Sequence, residues 1–191
     1  MEIYTIGHSS HSKEFFEKML KGNSIDVLAD VRAFPGSRKW PQFSKDVFPA
    51  WLEAEGISYR HFPKLGGRRR KSKEIEEEVN SGWRNRSFHN YADYTLSDEF
   101  KEGIDELLEL AADRRVAYCC SERHPARCHR LLISNWLVAN GHTVIHIIDG
   151  KNESVELVEH EVGKWGAAAE VKEENGVSVV YPEDKEEEIA E

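Results

Sequence analysis

A chain of 191 residues, 39% hydrophobic and 32% charged, can enclose one core but is too short for two ordinary enzymatic domains. No apolar run approaches the roughly 20 residues of a bilayer-spanning helix, and Met1-Glu2-Ile3-Tyr4 lacks the charged-then-apolar order of a signal peptide, so neither a membrane protein nor an exported one is expected. Three cysteines, an odd number with Cys119 and Cys120 adjacent, make no disulfide framework; they suit a reducing compartment, and the expected location is the cytoplasm.

The net charge of -9 is segregated. Residues 151–191 hold 13 acidic and 4 basic side chains, whereas residues 1–150 hold 22 of each. Within the neutral part, residues 60–86 carry nine Lys/Arg against four Glu, a local basic segment able to meet phosphate.

In chain order, Ile3 to Ile6 reads as a strand ending at Gly7. Ser10 and Ser12 are candidate N-caps for a helix carrying Phe15, Phe16, Met19 and Leu20 before Gly22. Ile25 to Val31 is a second strand, and Val47, Phe48, Trp51 and Leu52 mark a helix closed by Gly56, with Pro49 tolerable only in its first turn. Ser58 to Phe62 is a third strand. Pro63 to Leu96 shows no strand and only a short helix at Glu74 to Val79, so a connection of that length is read as locally folded or functional. Ser97 then caps a strongly amphipathic helix with Asp98 and Glu99 in its first turn, Phe100, Ile104, Leu107, Leu108 and Ala111 on one face, and Arg114 and Arg115 at its end. Val116 to Cys120 is a fourth strand, Ala126 to Asn140 a helix and Thr143 to Ile148 a fifth strand. Beyond Gly150 the pattern decays into a helix over Val155 to Val162, an edge strand over Val177 to Tyr181 and an acid run.

Near-continuous apolar strands alternating with helices predict an α/β fold, a three-layer Rossmann-like arrangement around a mostly parallel five-stranded sheet. The organisation expected is a single α/β domain over 1–150 with a long basic insertion at 63–96, a C-terminal appendage over 151–182 and a disordered acidic tail over 183–191.

In such a sheet ligands bind beyond the carboxyl ends of the strands. His8 and Ser9 follow the first strand, Asp30 and Arg32 end the second, Gly66, Gly67, Arg68 and Arg69 follow the third, and Cys120, Ser121 and Glu122 follow the fourth. Asp30 suits a base or hydrogen-bond acceptor, Arg32 an anion clamp and Glu122 a second carboxylate. His8 and Ser9 suit phosphate contact or acid and nucleophile roles, against the simpler reading of a capping turn. The segment from Cys120 to Arg130 is the densest chemistry. With Pro125 or Ala126 as first helical residue, Cys128 falls in the first turn, where free N–H groups and nearby Arg127 and Arg130 favour a thiolate beside His129. The alternative is that all three cysteines are small buried hydrophobes, strongest for Cys119 in mid-strand. Cys120, His124, Cys128 and His129 are potential zinc ligands, yet no CxxC pair occurs, and no metal is assigned. The thiolate loop of cysteine phosphatases and sulfurtransferases is also absent, because the residue after the five that follow Cys120 is Ala126 and Arg127 comes one later. Gly66 to Lys71 pairs a flexible backbone with four cations, and Trp40, Phe43, Trp83, Phe88, Tyr91 and Tyr94 could stack on bases or pin long loops to the core.

Thr5-Ile6-Gly7-His8-Ser9, Asp30-Val31-Arg32 with Pro35 and Ser37, Leu65-Gly66-Gly67, Tyr91-Ala92-Asp93-Tyr94, Cys120-Ser121-Glu122 and Cys128-His129-Arg130 together resemble the domain of unknown function 488 family. The likeness spans about residues 3–148 and implies an α/β domain whose shared polar residues gather at one rim. It supplies no reaction. The run Arg68 to Lys71 and the acidic tail lie outside its motifs.

These observations favour an enzyme acting on a nucleotide or nucleic-acid substrate. In that reading phosphate is held by the basic loop and the helix start, and Asp30, Glu122, Cys128 and His129 supply acid, base or nucleophile. The alternatives are a non-catalytic module that binds phosphate backbones through Arg68 to Lys71, with the acidic tail competing for that loop, and a Cys/His metal staple. The partner expected is a phosphate-bearing small molecule or a nucleic acid, not a membrane; the sequence names no cofactor.

Overall fold

Six strands form the central sheet in the order β3-β2-β4-β1-β5-β6 in the computed structural model, which describes residues 1–184. They are β1 Glu2–Gly7, β2 Val27–Asp30, β3 Ser58–His61, β4 Val116–Cys120, β5 Thr143–Asp149 and β6 Val155–Glu159. The first five run parallel and β6 pairs antiparallel with β5. The helices are α1 Lys13–Gly22, α2 Phe48–Ala54, α3 Arg86–Tyr94, α4 Asp98–Asp113 and α5 Arg130–Ala139. The fold is α/β and Rossmann-like, as the alternation of apolar runs predicts.

Alternation along the strands distributes side chains between two apolar layers. On one face Ile3, Val27, Ala29, Val31, Val116, Tyr118, Cys120 and Val144 meet α4 through Phe100, Ile104 and Leu107, and α5 through Leu132, Ile133, Trp136 and Leu137. On the other, Tyr4, Ile6, Leu28, Ala117, Cys119 and Ile147 meet α1 through Phe15, Phe16, Met19 and Leu20, and α2 through Phe48, Trp51 and Leu52. Adjacent Cys119 and Cys120 therefore lie on opposite faces. Ser12 and Ser97 cap α1 and α4 through their side chains, and Pro49 sits in the first turn of α2.

Several local expectations are corrected. The sheet has six strands, not five, because the segment from Val155, expected as a helix, forms β6; Val-Glu-Leu-Val-Glu also fits strand alternation on an exposed edge. Val177–Val180 is a strand, β8, but it pairs with β7 Glu170–Glu173 in a separate two-stranded sheet. The short helix expected at Glu74 to Val79 is a 3-10 turn at Glu77–Asn80. The basic insertion holds an unexpected helix, α3, capped by Asn85. The helix expected from Ala126 is broken: a 3-10 turn covers Pro125–Arg127, Cys128 is extended (φ -145°, ψ 173°) and α5 begins at Arg130. Of the acidic tail expected over 183–191, residues 185–191 lie outside the described residues.

The C-terminal appendage is joined to the main core. Val179 and Tyr181 are buried in the same layer as α5, and Tyr181 Oη accepts a 2.9 Å hydrogen bond from Asn135. Asn135 Oδ1 lies 2.7 Å from His160 Nε2, His160 Nδ1 lies 2.9 Å from His146 Nε2, and His146 Nδ1 lies 2.7 Å from Thr5 Oγ1. This buried polar chain crosses from the appendage to the central strand. Among the described residues no helix is long and apolar enough to cross a membrane.

Replacing Tyr181 by alanine removes a buried ring and a hydrogen-bond partner, and should cost about 3–5 kcal/mol in denaturant unfolding. Burial holds His8 and His160 down to about 4 and His146 down to about 2. Each is neutral in the fold and takes up a proton more readily when unfolded. Their contribution is present above the ordinary histidine value and is lost as pH falls from there towards about 4. Denaturation midpoints should therefore drop over that interval, and His160→Gln should flatten the drop.

Candidate active site

The two neighbours of β4 align their ends with it. Gly7 pairs with Cys120 and Asp30 with Cys119, and the ladder runs on through His8 N–H to Cys120 O (2.9 Å) and Ser9 N–H to Ser121 O (3.0 Å). Three loops thus leave the sheet side by side. Gly7 is required here: a Cβ would lie 1.8 Å from the Glu122 carbonyl oxygen and 2.8 Å from Arg130 Nη2.

Arg130 occupies the space that Gly7 leaves. Its guanidinium is fully buried and its donors are spent inward: Nε to Cys120 Sγ at 3.1 Å and Cys128 Sγ at 3.3 Å, Nη1 to Thr5 Oγ1 at 3.0 Å, and Nη2 to the Glu122 carbonyl at 2.6 Å. The two sulfurs are 2.8 Å apart. Burial pushes the Cys120 thiol up, but a hydrogen bond shared with Cys128, the Arg130 charge and the Glu122 backbone outweigh it and bring Cys120 below the ordinary thiol value. Burial and the neighbouring Cys120 sulfur push Cys128 well above it. The pair thus divides in acidity: Cys120 is the more acidic of the two and Cys128, the less acidic, is the one that supports it. The helix-start argument made for Cys128 does not apply, since that residue precedes α5 in extended conformation; the cation that favours a thiolate is Arg130. Cys119 is an apolar filler on the opposite face, its thiol raised by burial.

Asp30 and Arg32 form the second fixed unit. Arg32 Nε lies 3.0 Å from Asp30 Oδ1 and Nη2 2.7 Å from Oδ2, while Tyr59 Oη donates to the same carboxylate at 2.5 Å. Asp30 is completely buried and its oxygens are occupied, so it positions Arg32. Arg32 also donates to the Phe43 carbonyl (2.8 Å) and reaches His8 Nε2 (3.3 Å). With Nδ1 2.9 Å from the Ser9 carbonyl and its ring stacked on Phe43, His8 is held neutral, its Nε2 accepting from Arg32. Ser9 has positive φ (46°) and contributes backbone.

The Leu65-Gly66-Gly67 loop forms the third wall. Tyr91 Oη donates to the Leu65 carbonyl (2.8 Å) and Tyr94 Oη to that of Lys64, two rings one helical turn apart gripping consecutive carbonyls. A Cβ on Gly67 would fall 2.5 Å from His129 Nδ1. His129 Nε2 lies 2.7 Å from the Val31 carbonyl; burial holds its ring neutral, down to about 4, and the ring clasps the loops after β2 and β3 together.

These walls surround a pocket of about 380 Å³ lined by His8, Arg32, Gly67, Arg68, Tyr91, Cys120, Ser121, Arg127, Cys128 and His129, with Phe34, Ser37, Trp40, Ser87 and Phe88 also contributing. No carboxylate lines it. Of the residues expected at the site, the structure brings together His8, Arg32, Gly67, Arg68, Cys120, Cys128 and His129 in its lining, with Asp30 and Arg130 directly behind. It does not bring in Glu122, whose side chain is exposed and whose carbonyl alone serves the site, nor Arg69 and Tyr94, which stack on each other (3.8 Å) beneath the loop. Gly66 is buried against Ala33. Trp40 and Phe88, expected as rings that could stack on a base, do line the pocket, whereas Phe34, Ser37 and Arg127 were not singled out as ligand contacts; the signal available was their position in the loops after β2 and β4. Phe34 is 72% exposed, an unusual state for phenylalanine. Trp83, Phe43 and Tyr94 pack inward instead. Among the described residues no group of three His, Cys, Asp or Glu could hold a metal ion; the His124 ring packs on Trp165.

A family model described as domain of unknown function DUF488 matches residues 11–137. The chain belongs to this family. No curated protein and no solved structure matches it. In this DUF488 member the family's motifs acquire physical roles: Gly7 admits Arg130, Asp30 fixes Arg32, Tyr91 and Tyr94 hold the double-glycine loop, and Gly67 admits His129.

Two outcomes are expected. Modification of Cys120 by a small thiol-directed reagent should follow a titration with midpoint about 6 and fall to the rate of an ordinary buried thiol in Cys128→Val, read by mass spectrometry across a pH series. Gly67→Ala should displace His129 and cost about 1–3 kcal/mol in unfolding.

Proposed function

We propose that the chain is an enzyme that uses the Cys120 thiolate as a nucleophile on a substrate carrying a phosphate and a planar ring, a nucleotide or a nucleotide unit of a nucleic acid. The observation that carries this reading is a pocket without a carboxylate, lined by Arg32, Arg68 and Arg127 in a chain of net charge -9, with the Cys120 sulfur, backed by the Arg130 guanidinium, in its wall. Among the described residues Arg68 and Arg127 lie in no ion pair, so their charge is free for a ligand, and guanidinium forks match phosphate oxygens. Phe34, Trp40 and Phe88 offer ring faces around the same opening, which suits a base better than an aliphatic group. The size of the pocket fits one nucleotide.

In this reading Arg130 stabilises the Cys120 sulfur, Cys120 Sγ forms a bond to the electrophilic centre next to the bound phosphate as that centre's bond to the leaving group breaks, the leaving group takes the proton of Cys128, and water then displaces the sulfur and returns a proton to Cys128. His8 and His129 are neutral and committed to carbonyl hydrogen bonds; they orient the loops. A purely backbone-binding module has less support, because the basic run is partly consumed: Arg69 is tied to the Gly66 and Pro63 carbonyls and Lys71 lies 3.6 Å from Glu77.

Titration calorimetry with nucleoside monophosphates tests this. Arg68→Ala and Arg127→Ala should each weaken binding about tenfold, and Cys120→Ser should bind normally while turning over no substrate. Wild-type affinity in both arginine variants, or no binding of any nucleotide by the wild type, would overturn it.

A further inference from the structure

Cys120 and Cys128 meet in a way that nucleophilic catalysis does not require. Their sulfurs are 2.8 Å apart, closer than two non-bonded sulfurs normally lie, against about 2.05 Å in a disulfide. They come from different segments, the end of β4 and the extended residue before α5, and both open on the pocket. The bond could close with little movement of the backbone. Cys119 is excluded as a partner, since it points into the opposite layer.

We propose that Cys120 and Cys128 form a redox-active dithiol that reduces a small hydroperoxide and closes into a reversible disulfide. The Cys120 thiolate attacks the nearer oxygen of hydrogen peroxide. The O–O bond breaks, hydroxide leaves and becomes water with a solvent proton, and Cys120 is oxidised to the sulfenic acid. Cys128 Sγ then attacks Cys120 Sγ. The S–O bond breaks, and the departing hydroxide takes the Cys128 proton as a second water. Two thiols and one peroxide give one disulfide and two waters, and the electrons come from the two sulfurs. A small oxidant suits the position, because Cys120 is only 3% exposed at the pocket wall.

Arg130 makes the couple reversible. In the dithiol its buried charge faces a thiolate; in the disulfide both sulfurs are neutral and weak acceptors, and the charge is left without its counter-ion. The oxidised form is therefore easily returned by external thiols, as expected of a strained or catalytic disulfide and not of a structural one. The inference stands apart from the substrate proposed above: it needs neither the phosphate contacts nor turnover, and its readout is covalent.

The test treats the full chain with hydrogen peroxide, unfolds it, blocks free thiols with N-ethylmaleimide and reads the intact mass and the tryptic map. Expected are one blocked thiol of the three, a link between Cys120 and Cys128, the same link in Cys119→Ser, and its loss on treatment with dithiothreitol. Cys128→Ser should stop at the Cys120 sulfenic acid, captured by dimedone. Three blocked thiols in the peroxide-treated wild type, or a link that includes Cys119, would overturn the proposal, and both are read on wild-type protein whose folding is not in question.

Discussion

A buried guanidinium is costly unless each of its donors finds a partner and its charge a counter-ion. Arg130 is the residue on which this site depends, and its surroundings follow from that requirement. Cys120 supplies the charge, Thr5 and the Glu122 carbonyl complete the hydrogen bonds, and Gly7 vacates the volume. The electrostatic term works in both directions. The thiolate stabilises the arginine in the interior, and the arginine keeps the sulfur ionised where burial alone would protonate it.

The same economy governs the second layer of the site. Arg32 is buried by Asp30, Tyr59, His8 and the Phe43 carbonyl, so its charge is fixed in place before any ligand arrives. His8 and His129, which by residue type suggest acid and base, are neutral struts; burial removes their protons within the physiological range and carbonyls hold their rings. Among the described residues the cations at the mouth, Arg68 and Arg127, are in no ion pair, and Arg32 and Arg130 are committed in the walls.

The fold was legible because buried parallel strands must be apolar on both faces, which leaves runs such as Val116 to Cys120 standing out between amphipathic helices. What escaped was held by tertiary contact. Helix α3 has the weakly helical sequence Arg-Ser-Phe-His-Asn-Tyr-Ala-Asp-Tyr and is secured by Tyr91, Tyr94 and Asp93 bonding outward to the glycine loop and to Asn80. Val155 to Glu159 fits two periodicities, and the free edge of β5 decides between them. The rim of the site was equally legible, since strand ends are fixed by topology. The roles along it were not: whether the paired cysteines face a cation depends on where a side chain ten residues beyond Cys120 folds back, and whether Asp30 is available depends on Tyr59 and Arg32. Side-chain type indicates what a residue can do, while its partners determine what it does.

The polar chain from Arg130 through Thr5, His146, His160 and Asn135 to Tyr181 has a consequence for how this protein can be divided. The family match, residues 11–137, omits β1, which lies in the middle of the sheet, and β5, its other neighbour; it also omits His160 and Tyr181. An isolated fragment with those bounds would present β4 as a bare hydrophobic edge and leave the guanidinium without Thr5. The stretch that the family model matches is thus smaller than the piece that can be excised, fused or exchanged intact, and any chimera made at the match boundaries would divide the molecule through its centre.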